Sequence, residues 1–444
     1  MNKALFAPEK ISRLSSRNSL VIGLTLFTMF FGAGNLILAP YLGYEAGQAT
    51  PLAMVGFLVS AVGLPVIAIA SVGKVGSMRK LADRISPRFS EFFALCIYLC
   101  IGPFLAIPRI SSTAFEMLTP FLPEAQLGII QAIFSIAFYC VALFLAMNPN
   151  RLSKVMGKVS GPCLLALIVL IVGSLIIAPP YICAQEAQGA YITKPVLAGF
   201  ICGYQTMDVL ASLAFGVVIS LNIRQMGLTD ERSIAAQTIR SGIIAGGLLL
   251  LIYCGFAYLG YAMQASMDNP SNGAQVISAA AAYEFGIAGT IIVAATFFIA
   301  CLNVCTGLIC AISTYFYQNY PRLSYKKWAV LFTVVSCVLS NVGLTMILQY
   351  SIPILCALYP VGICLVVMGL MQKDETSHKR SWQASAYTCL VVSCIFAIRD
   401  GFIPGFWLIL DLLPLSEFSM AWILPTVIAW FIPYLISHLR HQTS

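Results

Sequence analysis

Asp208 is the one acid of the chain that falls near the middle of a long apolar run, at the end of Gly199-Phe200-Ile201-Cys202-Gly203-Tyr204-Gln205-Thr206-Met207-Asp208. A carboxylate at the centre of a bilayer costs on the order of 2.5–3.5 kcal/mol on insertion scales unless it is paired or wetted, so a side chain in this place has a use. Two compatible uses suit its type. It can cap a helix that restarts there, where negative charge is stabilised, or it can hold a cation or an ammonium group. A second stretch of interest is Phe30-Phe31-Gly32-Ala33-Gly34-Asn35-Leu36, inside an apolar run over 20–42. Two glycines around one alanine, followed by an asparagine that competes for backbone hydrogen bonds, predict an interrupted helix. A close helix contact through small residues is the alternative reading of one such motif taken alone. Unwound backbone at membrane depth is tolerated only where protein buries it or where it lines a wet cavity, so two interruptions predict a polar site near the midplane. Its chemistry is binding. Free N–H groups at the start of each resumed helix suit a carboxylate, and freed carbonyls at the end of the preceding one suit a cation or an ammonium. Covalent chemistry has little material: the three histidines, His378, His438 and His441, lie in polar segments, and the fifteen cysteines fall mostly in apolar runs without paired spacing. Those cysteines argue packing, neither a disulfide framework nor a metal site.

The elements that must position these residues are membrane helices. With 59% hydrophobic and 9% charged residues, a chain of 444 residues has too little polar surface to cover a soluble globule. Apolar windows of about 20 residues, enough to cross about 30 Å of hydrocarbon, recur from end to end. Twelve are read, at 20–42, 52–73, 92–118, 129–147, 159–178, 196–221, 243–263, 287–316, 328–342, 346–370, 387–398 and 420–436. With the N-terminus inside, every one of the 25 Lys and Arg residues except Arg109, Lys194 and Arg399 falls in a cytoplasmic segment, which supports twelve spans with both termini cytoplasmic. The fold class read from this pattern is an all-α integral membrane protein of twelve transmembrane helices, with two inverted five-helix repeats whose first and sixth helices are broken. Residues 1–19 form a cytoplasmic tail, without the small-residue cleavage site of a signal peptide. Residues 20–370 form a ten-helix core, divided into 20–178 and 196–370, and 371–444 hold two further helices and a tail. Breaks at matching places in inverted halves mark a transporter.

Phe31-Gly32-Ala33-Gly34-Asn35, Pro40 and Ala46-Gly47 in the first span resemble the bacterial branched-chain amino acid:cation symporters, as do Ile101-Gly102-Pro103 and Pro108-Arg109 in the third. Gly203-Tyr204 with Thr206-Met207-Asp208, Ala300-Cys301-Leu302 with Gly307-Leu308, Ser340-Asn341-Val342-Gly343-Leu344 and Tyr359-Pro360 extend the likeness. Ala421-Trp422 with Pro425-Thr426 carries it into the twelfth span. The resemblance implies a leucine-transporter-like fold and uptake of leucine, isoleucine and valine across the bacterial inner (cytoplasmic) membrane, by symport with a coupling ion, Na+ or H+. It implies no other cofactor and no nucleic acid; the partners are the small-molecule substrate and the lipid bilayer, and the oligomeric state stays open. By analogy, Phe31, Gly32, Ala33, Gly34 and Asn35 face the substrate from one break and Tyr204, Thr206, Met207 and Asp208 from the other. The ion site implied is Gly32, Asn35, Asn303 and Thr306. Here the chain departs from the family pattern: a hydroxyl residue is expected where Val304 stands in Asn303-Val304-Cys305-Thr306, so Asn303 or Thr306 would have to supply the oxygen. Phe30, Phe31, Tyr204 and Met207 suit an apolar side-chain pocket or plain packing. The alternatives are a proton-coupled carrier of other small neutral amino acids or, in different classes, a polytopic membrane enzyme or a channel. A channel would show a filter loop or a charged pore lining, which the sequence does not.

Overall fold

The computed structural model of the chain describes residues 14–147, 165–166, 169–170, 172–174, 177, 186–267, 269–371, 378–401, 413–416 and 420–442. Among these residues the regular structure is helical: α1 Ser16–Phe30, α2 Ala33–Ala46, α3 Thr50–Leu58, α4 Leu64–Val75, α5 Met78–Asp83, α6 Pro87–Leu99, α7 Ala106–Glu116 and α8 Leu127–Ala146. There follow α9 Pro195–Tyr204, α10 Asp208–Gln225, α11 Glu231–Met263, α12 Gly273–Asn319, α13 Tyr325–Ser340, α14 Leu344–Met371, α15 Lys379–Gly401 and α16 Ile423–Gln442. By length and composition, eight stretches among the described residues can cross a membrane. Each span read from the sequence has its helix except the fifth, at 159–178, which lies mainly outside the described residues. The eleventh is longer than the apolar window over 387–398, because α15 runs for 23 residues from Lys379 to Gly401. Long basic side chains carry a helix past the apolar limit by reaching for the interface, so hydropathy alone underestimates it.

The starts of these helices follow their capping residues. Ser15 accepts from the Asn18 N–H at 3.2 Å to open α1, Asp230 accepts from the Ser233 N–H at 2.9 Å to open α11, and Asn272 takes the N–H groups of Ala274 and Gln275 to open α12. Each satisfies donors that a helix N-terminus leaves without partners. Large apolar side chains such as Ile133, Phe144, Ile243 and Leu251 are exposed around the outside, as expected of helices solvated by hydrocarbon. Inside, α2 packs on α11 at backbone distance. A Cβ on Gly260 would run into the Pro40 carbonyl, so only glycine permits this approach.

Both expected interruptions are present. Between α1 and α2, Phe31 (φ −73°, ψ 84°) leaves the helix and Gly32 (φ −119°, ψ −166°) is extended. Between α9 and α10 the chain turns through Gln205 and Thr206, and Met207 takes the left-handed conformation (φ 65°, ψ 10°). The sequence reading did not anticipate two further irregularities. One is a wide π turn over Val59–Gly63 in the second span. The other is a π turn over Cys100–Phe104 in the third, where Gly102 is non-helical (φ −97°, ψ −124°) ahead of Pro103. Proline has no N–H to give to the preceding turn, and the local rewinding accommodates the loss. In α12, Gly286 (φ 60°) separates a segment over 273–285 from the span that resumes at Ile287, the residue where the apolar window begins.

Candidate functional site at the two helix breaks

Asn35, three positions past the first break, joins it to the second. Its Oδ1 accepts from the Gly32 N–H at 3.3 Å, while its Nδ2 donates to Asp208 Oδ2 at 2.8 Å and also contacts Tyr253 Oη. Tyr253, on α11, donates to the same carboxylate oxygen at 3.2 Å. Asp208 is the first residue of α10, yet its carboxylate does not cap that helix: the Asp208 N–H goes to Thr206 Oγ1 at 3.3 Å and the Val209 N–H to Tyr359 Oη at 3.2 Å. The carboxylate is thus left to face other helices. From α7, Arg109 reaches the turn between α9 and α10 and donates through Nη1 to the Gln205 carbonyl at 2.6 Å. Its guanidinium also lies against Gly34. A Cβ at Gly34 would stand 3.1 Å from Arg109 Cζ and closer still to Nη2. Asn35, Arg109 and Asp208 are 2%, 3% and 2% exposed, a burial at which each charge needs compensating partners.

One cavity of ≈ 40 Å³ has Gly32, Gly34, Asn35, Arg109, Thr206 and Asp208 as the polar part of its lining. Met29, Phe30, Met207, Phe215, Val304 and Leu308 supply apolar wall. A few polar groups set among aliphatic and aromatic wall is the composition of a small-molecule site. Residues 15–440 match the family model described as branched-chain amino acid transport protein. The chain belongs to that family. It is therefore a multi-pass membrane transporter and not an enzyme. Among the family's curated proteins, it is 36% identical to the branched-chain amino acid permease BraB of Bacillus subtilis, over 96% of each chain. It is 34% identical to the branched-chain amino acid transport system 2 carrier protein of Pseudomonas aeruginosa, over 94% of this chain and 96% of that one. Among solved structures it resembles Mhp1, a nucleobase-cation-symport-1 family transporter in a closed conformation, with a TM-score of 0.59 and 13% identity over 100% of this chain and 96% of that one. It also resembles MhsT in complex with L-phenylalanine, with a TM-score of 0.58 and 15% identity over 95% and 99% of the two chains. These likenesses show a shared fold, the leucine-transporter-like fold implied by the sequence motifs.

In this member of the family, Gly32, Gly34, Asn35, Thr206, Met207 and Asp208 all line the cavity. Ala33 opens α2 beside them. Phe31 and Tyr204 are turned elsewhere: Phe31 stacks on Phe27 with ring centroids 5.1 Å apart, and Tyr204 stacks on Tyr359 at 4.4 Å. Of the two phenylalanines read for an apolar pocket, Phe30 is at the wall, with Phe215 5.9 Å away, and Phe31 is not. Of the four residues read as an ion site, Gly32 and Asn35 line the cavity and Asn303 and Thr306 do not. The hydroxyl of Thr306 donates to the Leu302 carbonyl at 2.7 Å. α12 presents Val304 instead, 3.2 Å from where a Gly32 Cβ would stand. Successive helical residues are rotated by about 100°, so 303 and 306 cannot share the direction of 304. Arg109 is the largest correction. The charge pattern placed it on or toward the outer side, and the structure buries it against both breaks. The signal that singled out Asp208, a charge inside an apolar run, was present over 92–118 as well. Tyr253 had no such signal, being one aromatic among many.

Proposed function

We propose that the protein imports leucine, isoleucine and valine across the bacterial cytoplasmic membrane by alternating access at this cavity, in symport with a cation. One observation carries the reading: the Gly32–Gly34 break and Asp208 line one cavity whose wall is otherwise mostly apolar. An aliphatic amino acid has that polarity. The N-terminal N–H groups of α2 suit its carboxylate, and Asp208 with the carbonyls left at the ends of α1 and α9 suits an ammonium or a cation. The names of the Bacillus subtilis and Pseudomonas aeruginosa relatives support the same substrate class. Both termini are cytoplasmic in this reading, as the distribution of Lys and Arg requires. Residues 20–370 form the transport core, and the halves 20–178 and 196–370 are its inverted repeats.

Na+ is the coupling ion in the first reading, held by oxygens near Gly32 and Asn35. A specific observation favours H+ as the second: α12 turns a valine to the site and keeps the Thr306 hydroxyl within its own helix, whereas Asp208 is a carboxylate able to carry a proton. Purified protein in liposomes decides between them. Saturable uptake of radiolabelled leucine, competed by isoleucine and valine, is expected; accumulation of lysine or glutamate without competition by leucine overturns the substrate class. Dependence on an imposed Na+ gradient or on an imposed pH gradient assigns the ion.

A further inference from the structure

Two opposite charges line the cavity without pairing to each other. Arg109 and Asp208 form no ion pair, both being described residues. Asp208 is held by the amide of Asn35 and the hydroxyl of Tyr253, and Arg109 by a single backbone carbonyl, that of Gln205. The Arg109 Nε–H is buried with no hydrogen-bond partner. Buried charges in membrane proteins ordinarily neutralise one another, because an uncompensated one is costly. Here the two make no direct ion pair although both line the same space, so a ligand that brings a negative and a positive group can engage both. The guanidinium lies against Gly34 at the start of α2, where the helix terminus adds positive potential and suits an anion, and the Asp208 carboxylate, held by Asn35 and Tyr253, is the acidic group of the same cavity.

From this arrangement we infer that Arg109 anchors the α-carboxylate of the substrate and Asp208 its α-ammonium, so that the site recognises an amino acid as a zwitterion and turns its side chain toward Met29, Phe215, Val304 and Leu308. The inference rests on the proposed function and assigns a role to a residue that the sequence reading left outside the site. An arginine suits it: the planar fork can keep one N–H on the Gln205 carbonyl and offer others to a carboxylate.

Binding to the purified full-length protein tests the assignment with three probes of one shape: leucine, leucinol, which lacks the carboxylate, and 4-methylpentanoate, which lacks the ammonium. Wild-type protein is expected to bind leucine at least about 30-fold more tightly than leucinol, the scale of a lost charge-assisted interaction. Arg109→Gln is expected to weaken leucine and 4-methylpentanoate by a similar factor while moving leucinol less than about threefold. Asp208→Asn should do the reverse, weakening leucine and leucinol and sparing 4-methylpentanoate. Arg109→Lys, which keeps the charge and can keep the bond to Gln205, should recover part of the preference for leucine over leucinol. If Arg109 only positions the turn after α9, Arg109→Gln lowers leucine and leucinol equally and the inference falls. It falls as well, whether or not Arg109→Gln folds, if the wild type fails to prefer leucine to leucinol. Wild-type protein that binds no leucine at all overturns the proposed function instead, and the inference with it.

Discussion

The two helix breaks meet at one cavity but are held in different ways. The first is closed by its own chain: the extended Gly32 gives its N–H to the side chain of Asn35, three residues on. The second is closed by its neighbours. Its left-handed residue is a methionine, and Arg109 from α7 and Tyr359 from α14 take up the Gln205 carbonyl and the Val209 N–H. The first break is tied to α10 and α11 through the same Asn35 side chain, which also bonds Asp208 and contacts Tyr253. A break whose backbone is bonded to two other helices is fixed to them, and a left-handed non-glycine residue persists only where its surroundings over-determine it.

Four substitutions test this contrast. The largest effect is expected at Gly34, where one added carbon meets the Arg109 guanidinium. Gly34→Ala should lower leucine counterflow in proteoliposomes by about 100-fold, the scale of a misplaced contact, with normal membrane levels of the protein. Normal levels with normal transport would remove Gly34 from the site. Asn35→Ala should loosen both breaks, since it leaves the Gly32 N–H without a partner and Asp208 Oδ2 with Tyr253 alone, at a cost of about 3 kcal/mol. Faster hydrogen exchange in both 30–36 and 203–210 would show it, and a change confined to 30–36 would count against the joint. Tyr359→Phe removes the acceptor for the Val209 N–H. It should cost about 1 kcal/mol and speed exchange in 203–210 while sparing 30–36. The smallest effect is that of Val304→Thr, which adds a hydroxyl beside Gly32 and should lower the Na+ concentration for half-maximal uptake by about threefold if Na+ binds there. An unchanged Na+ dependence places the ion elsewhere or favours H+.

The contrast also explains what could be read in advance. The first break is written in the local sequence, because two glycines and an asparagine act through backbone freedom and a short-range hydrogen bond. The second was legible at Asp208, through the cost of its charge, but not at Met207, whose conformation is imposed by tertiary contacts. The same limit hid Arg109. A long apolar run leaves open how far its charge lies from the interface, and the π turn at Gly102 is one of the features that fix its place. It also hid the register of α12, where both faces are apolar enough to be buried, so that nothing in Asn303-Val304-Cys305-Thr306 says which side chain meets the cavity. The helices outside 159–178 came through because they depend only on apolar length, whereas the fifth span lies mainly outside the described residues.

The amide of Asn35 has a direction, since a carboxamide can accept only through its oxygen and donate only through its nitrogen. With the oxygen committed to the Gly32 N–H, the nitrogen is turned toward Asp208, and the arrangement is consistent only while the facing carboxylate oxygen accepts. A proton placed on that oxygen would set donor against donor. The amide could resolve the clash by turning over, but its oxygen would then leave Gly32, and the N–H that closes the first break would be released. The titration state of one helix break is in this way legible to the other through a single rotation about the Cβ–Cγ bond of one side chain.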